Sequence, residues 1–149
     1  MNMDEKHRAF EILVVEDNPG DVRLIMESLK DGRVLSNPRV VSDGMEALVF
    51  LHREGKYANA PRPDIILLDL NLPKKNGKEV LAEIKNDPSL KRIPVVILTA
   101  SSAEQDILKS YNLHANCYIT KPLDLEGFTA VMKAIENFWL TVVKLPPGE

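Results

Sequence analysis

Cysteine is nearly absent from this sequence: Cys117 is the only one in 149 residues. A lone cysteine cannot form an internal disulfide, and this usage is typical of a reducing compartment. Glycine is also scarce, with seven residues, and the composition, with ten prolines, 44% hydrophobic and 28% charged residues, is that of an ordinary globular domain. At this length a folded chain buries roughly 68–70% of the surface that its unfolded form exposes. We therefore expect one domain over residues 1–149, with a core built by packing alone.

Positive charge and long apolar runs are lacking as well. The 19 Lys and Arg residues against 22 Asp and Glu give a formal charge of −3, which argues against a nucleic-acid binder. No apolar run approaches the roughly 20 residues that span a bilayer. The start, MNMDEKHRAFEILVVED, places charges before a short apolar run that ends on two acids, unlike a secretory signal peptide. We expect a cytoplasmic protein with no nucleic-acid and no membrane partner.

Short β-branched runs alternate with helical stripes along the chain, and this alternation predicts the fold class. Five nearly continuous apolar runs predict parallel strands covered on both faces: Ile12–Val15, Arg39–Val41, Ile65–Leu68, Val95–Leu98 and Cys117–Ile119. Short connections between strands and helices imply right-handed crossovers. We therefore predict an α/β protein with a flavodoxin-like, doubly wound, five-stranded parallel sheet of strand order 2-1-3-4-5 and helices on both faces.

Five amphipathic stripes predict the helices. Asn18 is the expected N-cap of the first, with Pro19 at its first position and Gly32 at its end, and the fifth begins near Asp124. The connection Glu54–Pro63, with Gly, Asn and two prolines, predicts a surface loop. The stripes are Val22, Ile25, Met26 and Leu29; Ala47, Leu48 and Leu51; Val80, Leu81 and Ile84; Ile107, Leu108 and Tyr111; and Phe128, Val131, Met132, Ile135 and Trp139.

Carboxylates follow two of the predicted strands. Glu16 and Asp17 come directly after the first strand, and the third strand ends on Asp69. In an open parallel sheet, ligands bind beyond the carboxyl ends of the strands, where the strand order reverses. Three carboxylates at that edge repel one another and favour a cation among them. Oxygen ligands of this kind suit Mg²⁺.

Groups of another chemistry follow the remaining strands. The fourth strand ends at Thr99, followed by the small Ala100, and Lys121 comes after the fifth. If Asp69 accepted a phosphoryl group, Mg²⁺ and Lys121 would neutralise its charge and the Thr99 hydroxyl would donate to a phosphoryl oxygen. Ala100 would leave room for that group. The pattern favours phosphoryl chemistry at the carboxyl edge of the sheet.

The segments ILVVEDNPGD, IILLDLNLPKKNG, VVILTAS and CYITKP resemble the receiver domain of two-component response regulators of the chemotaxis-regulator type. The resemblance covers about Glu11 to Phe138, and Glu16 stands where the family often has an aspartate. It implies a phosphoacceptor, Asp69; metal ligands Glu16, Asp17, Asp69 and the backbone carbonyl of Asn71; phosphoryl contacts Thr99 and Lys121; an aromatic switch, Tyr118; and a cis peptide bond between Lys121 and Pro122. The implied protein takes its phosphoryl group from a sensor histidine kinase and is a signalling protein rather than an enzyme.

A narrower resemblance lies in the loop Glu54–Pro63 and the tail FWLTVVKLP, which look like those of stand-alone regulators of bacterial phytochrome kinases. It implies a phytochrome as the partner kinase. Since the chain shows no output domain, the face formed by helix four, strand five and helix five is expected to bind an unidentified downstream protein or a second copy.

The C-terminal extension, about residues 138–147 beyond a core of about 11–138, is strongly apolar. Six of the eight residues from 138 to 145 are large and apolar, more than one helical face can bury. We predict a homodimer through helix five and this extension; the alternative is that the tail folds back over its own domain. The expected dimer or partner face comprises Tyr111, Tyr118, Phe138, Trp139, Leu140, Val142 and Val143.

Two other functions fit parts of the pattern. A phosphohydrolase with an aspartyl nucleophile uses related chemistry, but its D-x-D motif places a general acid where this chain has Asn71. A binding module that had lost phosphorylation could keep the fold, although every expected active-site residue is present. Reaction with acetyl phosphate and Mg²⁺ separates these readings from a receiver.

Overall fold

A computed structural model of the chain describes residues 9–30, 32, 35–109, 115 and 117–138. Strands and α-helices alternate along this part of the chain, and a short 3₁₀ turn, Gly55–Tyr57, follows the second helix. The strands are β1 (Phe10–Val15), β2 (Ser36–Val41), β3 (Ile65–Asp69), β4 (Val95–Thr99) and β5 (Cys117–Thr120). The helices are α1 (Pro19–Lys30), α2 (Gly44–Leu51), α3 (Gly77–Asn86), α4 (Ser102–Lys109) and α5 (Leu125–Phe138).

The strands form one parallel sheet in the order β2-β1-β3-β4-β5, which confirms the predicted topology. In the register, Val15 lies beside Leu68, and Asp69 lies beside Leu98. Thr99 lies beside Thr120 at the end of the last pair. Because all strands run the same way, the residues that follow them meet at one edge of the sheet.

Each face of the sheet is covered by its own helices. Leu13 and Val15 point to the face that packs with α2, α3 and Leu108 of α4. Ile12 and Val14 point to the opposite face, which packs with α1 and α5. This two-sided burial explains why the β1 sequence is apolar at consecutive positions. Each buried Val, Leu or Ile side chain contributes about 1.5–3 kcal/mol relative to exposure.

The edge strands differ from the prediction that all five are covered on both faces. β3 and β4 are buried throughout. In β2, Arg39 and Val40 are exposed, and in β5 the first and last residues, Cys117 and Thr120, are exposed. An edge strand has a neighbouring strand on one side only, so its flanks are open to solvent.

The helix starts agree with the predicted caps. The backbone N–H of Asp21 donates to Oδ1 of Asn18 at 3.0 Å, and α1 begins at Pro19. α5 begins at Leu125, and the N–H of Gly127 donates to Oδ1 of Asp124 at 2.8 Å. These bonds satisfy N–H groups that lack a partner within the first turn of each helix.

Two predicted stripes need correction or lie partly outside the described residues. In α4, Leu108 is buried, but Ile107 is 61% exposed, because the short helix packs only one narrow side against the sheet. Tyr111 and Trp139 lie outside the described residues. In α5, Phe128, Met132 and Ile135 are buried as predicted, and Val131 packs beside them.

The loop Glu54–Pro63 is more firmly anchored than a surface loop needs to be. The ring of Tyr57 packs against Phe50 with centroids 5.0 Å apart, and its hydroxyl donates to Oε2 of Glu46 at 2.5 Å. Desolvation and the Glu46 carboxylate raise the pKa of Tyr57 to about 12. Ala60 and Pro63 are buried as well. The loop therefore belongs partly to the packed body of the domain.

No helix in the described ranges has both the length and the apolar character that a membrane-spanning segment requires.

Candidate functional site

Three carboxylates meet at the carboxyl edge of the sheet, as the sequence predicted. Glu16 and Asp17 follow β1, and Asp69 is the last residue of its neighbour β3. One carboxylate oxygen from each lies within 4.8 Å of the others. Glu16 and Asp69 are 1% and 4% exposed, whereas Asp17 is exposed. We call these three residues the acidic cluster.

Lys121 reaches the acidic cluster from β5. Its Nζ lies 3.0 Å from Oε1 of Glu16 and 3.2 Å from Oδ2 of Asp69. A fourth carboxylate, Asp21 in the first turn of α1, lies 2.9 Å from the same nitrogen. The backbone N–H of Lys121 donates to the carbonyl of Thr99 at 2.7 Å, which fixes the residue against β4. The ammonium is therefore held where several negative charges meet.

The pKa values of Glu16 and Lys121 reflect the crowding of charge at this edge of the sheet. Burial first, and then the charge of Asp69, raise the pKa of Glu16 to about 7, although the Lys121 ammonium and the hydrogen bond from the Asn18 N–H oppose the rise. Partial burial lowers the pKa of Lys121, but its contacts with the Asp21 and Glu16 carboxylates outweigh this, and the net pKa is raised. The ammonium is therefore stable in its charged form, whereas the charged form of Glu16 is destabilised by its burial and by the neighbouring Asp69.

The acidic cluster fits a divalent cation. Oε1 of the buried Glu16 has no hydrogen-bond partner; it contacts Nζ of Lys121 at 3.0 Å, but as an ion pair without hydrogen-bonding geometry. Such an oxygen, together with the neighbouring carboxylates, is the ligand set that hard divalent cations prefer. A cation among these groups would also relieve the repulsion that raises the Glu16 pKa.

An open cavity of about 420 Å³ lies over the acidic cluster. Its walls include Asp17, Asp69, Asn71, Ala100 and Lys121. The predicted phosphoacceptor, metal ligand, small residue and cation thus face one space, which is large enough for a phosphoryl group and its donor's reacting atoms.

The turn after Asp69 is set by a glycine. The backbone N–H of Asn71 donates to Oδ1 of Asp69 at 3.2 Å, and the N–H of Gly77 donates to the carbonyl of Leu70 at 2.8 Å. A Cβ at Gly77 would lie 2.5 Å from the Asp69 carbonyl oxygen. Only a residue without a side chain allows α3 to begin this close to β3. The expected ligation by the Asn71 carbonyl stays a prediction.

The predicted switch residues, Thr99 and Tyr118, are not among the residues that line the cavity. The Thr99 hydroxyl is buried and can donate to the carbonyls of Ser101 at 3.2 Å and Ile119 at 3.4 Å. Tyr118 is half-buried against the core, and Nζ of Lys109 lies 5.9 Å from its ring centroid. A direct contact of Thr99 with a group on Asp69 would require its side chain to turn.

The expected cis peptide bond between Lys121 and Pro122 is wrong for this structure. No peptide bond within the described ranges is cis, so this bond is trans. The trans form is the lower in energy even before proline, and in this form Lys121 makes its contacts with both β4 and the acidic cluster.

Three polar residues at this edge escaped the sequence analysis. Asp21 contacts Lys121, Glu104 contacts Ala100 and Asn71, and Gln105 donates to the Thr120 hydroxyl at 2.9 Å. All three lie in the first turn of a helix. For Glu104 a signal was present, because Ser101-Ser102-Ala103-Glu104 has the spacing of a capping box.

The predicted dimer or partner face is described only in part. Phe138 is half-buried and packs against the core beneath α5. It also borders an apolar cavity of about 260 Å³ between α5 and the β4–β5 edge of the sheet. The other predicted members of this face, Tyr118 aside, lie outside the described residues: Tyr111, Trp139, Leu140, Val142 and Val143.

Comparison with known proteins agrees with this geometry. Residues 12–133 match the family described as Response regulator receiver domain. Response regulator Rcp1 of Synechocystis sp. is 51% identical over 143 residues, 96% of this chain and 97% of that protein. The crystal structure of the phosphorylated cyanobacterial phytochrome response regulator RcpA has a TM-score of 0.83 and 57% identity, covering 93% of this chain and 99% of that one. The Mn²⁺-bound form of Rcp1 has a TM-score of 0.80 and 52% identity, covering 91% and 98%. The predicted fold and the predicted likeness to stand-alone phytochrome regulators are confirmed.

Proposed function

Because the chain belongs to the response regulator receiver domain family, we propose that Asp69 accepts a phosphoryl group from the phosphohistidine of a sensor histidine kinase. The observation that carries this assignment is the contact of 3.2 Å between Nζ of Lys121 and Oδ2 of Asp69 at the floor of an open cavity. A buried carboxylate beside a fixed cation is placed to hold a new anionic group.

The transfer is a displacement at phosphorus. A carboxylate oxygen of Asp69 forms the new P–O bond while the P–N bond of the phosphohistidine breaks. The imidazole leaves with the electron pair of that bond and takes up a proton from solvent. Lys121, already held by three carboxylates, offers its ammonium to the transferred oxygens without moving far.

The proposed metal is Mg²⁺. Glu16, Asp17 and Asp69 would hold it with their carboxylates and Asn71 with its backbone carbonyl, and the ion would supply positive charge against the transferred group. The acidic cluster supports this assignment, as does Oε1 of the buried Glu16, which accepts no hydrogen bond. Mn²⁺ is the ion of the related Rcp1 structure.

The response to phosphorylation is proposed to begin at Thr99. Its hydroxyl leaves the Ser101 carbonyl and turns toward the phosphoryl group, and Tyr118 turns inward behind it. Both residues lie on β4 and β5, next to α4. The face formed by α4, β5 and α5 is thereby remodelled, and we assign to it the contact with an unidentified downstream protein.

The partner kinase is proposed to be a phytochrome, as the likeness to RcpA supports. A homodimer through α5 and the extension 138–147 is also part of the proposal, supported by the apolar cavity beside Phe138. We retain the expectations of one receiver domain, with a core of about residues 11–138, and of a cytoplasmic location. The phosphohydrolase alternative is set aside, because the residue two positions after Asp69 is an amide, Asn71.

The test is reaction with acetyl phosphate and Mg²⁺, followed by intact mass measurement. Wild type is expected to gain the mass of one phosphoryl group, and Asp69→Asn to gain none, because an amide is not a nucleophile toward phosphorus. Asp106→Asn, which makes the same change at an exposed position of α4, should label like wild type.

Three results would contradict the assignment. One is phosphoryl labelling of the Asp69→Asn variant at another carboxylate. Another is steady release of phosphate with no accumulated species, which marks a hydrolase. The last is an unreactive wild type, which marks a binding module.

A further inference from the structure

The Glu104 carboxylate accepts hydrogen bonds from two donors at the wall of the cavity over the acidic cluster. The backbone N–H of Ala100 donates to Oε1 of Glu104 at 2.7 Å. The side-chain amide of Asn71 donates to Oε2 at 3.4 Å, a longer and weaker contact. Glu104 itself is half-buried, and both of its partners line the cavity over the acidic cluster.

These donors are the ones that an anion attached to Asp69 would use. Ala100 follows the last residue of β4 and Asn71 lies two residues after Asp69, and all three residues line the same cavity. A phosphoryl group gains most from donors that are fixed in advance. A carboxylate that already accepts from the Ala100 N–H competes with it for this donor and repels it by charge.

We propose that Glu104 is an anionic latch, which holds the Ala100 N–H in the unphosphorylated protein and is displaced by the phosphoryl group on Asp69. The proposal rests on the phosphoryl acceptance assigned to Asp69. Glu104 does not touch the reacting atoms, so it is a positioning residue whose removal favours the phosphorylated form.

The latch also connects the cavity to α4. Glu104 lies in the first turn of α4, and its own N–H donates to Oγ of Ser101 at 3.2 Å. The carbonyl of Ser101 accepts the Thr99 hydroxyl. Displacing the Glu104 carboxylate removes its bond to the Ala100 N–H and loosens the β4–α4 connection, in which Thr99 must turn. Loss of the bond between the Ala100 N–H and Glu104 would thus couple phosphorylation to the movement of α4.

A plain helix cap predicts a different outcome. Capping alone stabilises α4, so its loss lowers stability and leaves the affinity for a phosphoryl group unchanged or weaker. A latch predicts that anion affinity rises when the carboxylate is removed, even though the helix start is weakened. The two roles are separated by the direction of the change in affinity.

The experiment measures the affinity for beryllium fluoride, a phosphoryl mimic, by calorimetry in saturating Mg²⁺. Glu104→Ala, which removes charge and acceptor, is expected to bind about tenfold more tightly than wild type. Glu104→Gln keeps an acceptor for the Ala100 N–H and should show a smaller gain. Asp106→Asn, on the same helix, controls for the loss of one charge and should stay within about twofold of wild type. Mg²⁺ affinity without beryllium fluoride should not change.

Thermal unfolding and labelling by acetyl phosphate accompany these titrations. The latch is overturned if both Glu104 variants bind beryllium fluoride with wild-type affinity or more weakly while labelling of wild type proceeds normally. It is equally overturned if Asp106→Asn tightens binding as much as Glu104→Gln does. If wild type takes no label at all, the phosphoacceptor assignment fails and the latch fails with it.

Discussion

One ammonium serves three carboxylates at the carboxyl edge of the sheet. Lys121 contacts Glu16, Asp21 and Asp69 at 3.2 Å or less. Negative charge therefore remains in excess at this edge, and together with burial it raises the pKa of Glu16. Asp17 stands at the open side of the acidic cluster, where an arriving cation would meet it first. The edge is built to be completed by positive charge.

Glu16 is expected to make stability depend on pH when divalent metal is removed. Its pKa in the folded protein, about 7, lies above the ordinary value of 4.5, so its protonated form favours the fold. Its contribution is therefore fully present below pH 4.5 and is lost as the pH rises through 7. The loss is of the order of 3 kcal/mol. Urea unfolding with a chelator at pH 5 and pH 8 measures it.

Glu16→Gln is the matched control, because the amide keeps the shape and has no charge to titrate. The variant should lose much less stability between the two pH values, and excess Mg²⁺ should flatten the wild-type dependence. A wild-type protein and a Glu16→Gln variant with the same pH dependence would show that other groups cause it.

Residues that follow strands were predicted, whereas the residues in first helical turns were missed. Glu16, Asp69 and Lys121 follow from the alignment of parallel strand ends, which apolar runs make visible in the sequence. Asp21 and Glu104 reach the same edge from helices, and their direction depends on how each helix is set against the sheet. The predicted cis bond before Pro122 came from a family resemblance, which did not fix the isomer in this chain.

At the scale of elements, the turn between β3 and α3 carries much of the site. Asn76 and Glu79 form a reciprocal capping box, with bonds of 2.9 and 3.1 Å, that fixes where α3 begins. Gly77 then lies against the backbone of Asp69 and Leu70. The turn between these points presents Asn71 to the cavity. Asp69 is therefore positioned partly by the start of the next helix.

Gly77→Ala is expected to destabilise the fold by about 1–3 kcal/mol and to slow labelling by acetyl phosphate. The added Cβ would meet the Asp69 carbonyl oxygen at 2.5 Å and Cα of Leu70 at 2.7 Å, so the backbone at Asp69 must shift. Urea unfolding and the labelling rate are the two measurements.

Gly20→Ala provides the comparison, because its Cβ would meet only a side-chain oxygen, that of Asn18, at 3.2 Å. Its stability should change little, since alanine favours the helix. Equal effects of the two substitutions, or a Gly77→Ala variant that labels at the wild-type rate, would refute this account of the turn.

At the scale of the whole molecule, the topology was readable because two periodicities alternate without interruption. Apolar runs marked β3 and β4 through burial on both faces, and the stripes marked the buried sides of α1 and α5. The anchoring of the loop around Tyr57 could not be predicted, because it depends on a hydrogen bond from Tyr57 to Glu46 at the start of α2. The burial of the edge strands β2 and β5 was overestimated for a similar reason, because the exposure of a strand depends on which elements lie beside it.

The assembly of the molecule depends on what covers the apolar side of α5. Phe138, the last residue of α5, packs on the core and borders an apolar cavity whose wall includes Ile119 and Cys117 of the edge strand β5. Beyond it the sequence continues with Trp139, Leu140, Val142 and Val143. A second copy is the commonest cover for such a surface, since most soluble oligomers are symmetric homodimers.

A chain ending at Phe138 is therefore expected to be monomeric where the full chain is dimeric, because it keeps α5 but loses the apolar extension. A chain ending at Leu145 keeps every large apolar residue of the extension and should remain dimeric. Light scattering across a concentration series, with and without beryllium fluoride and Mg²⁺, measures the mass of all three forms. A monomeric full chain under both conditions would refute self-association and favour a tail folded over its own domain. In that case the shortened chain should unfold at lower urea concentration, because its own core would lose the cover.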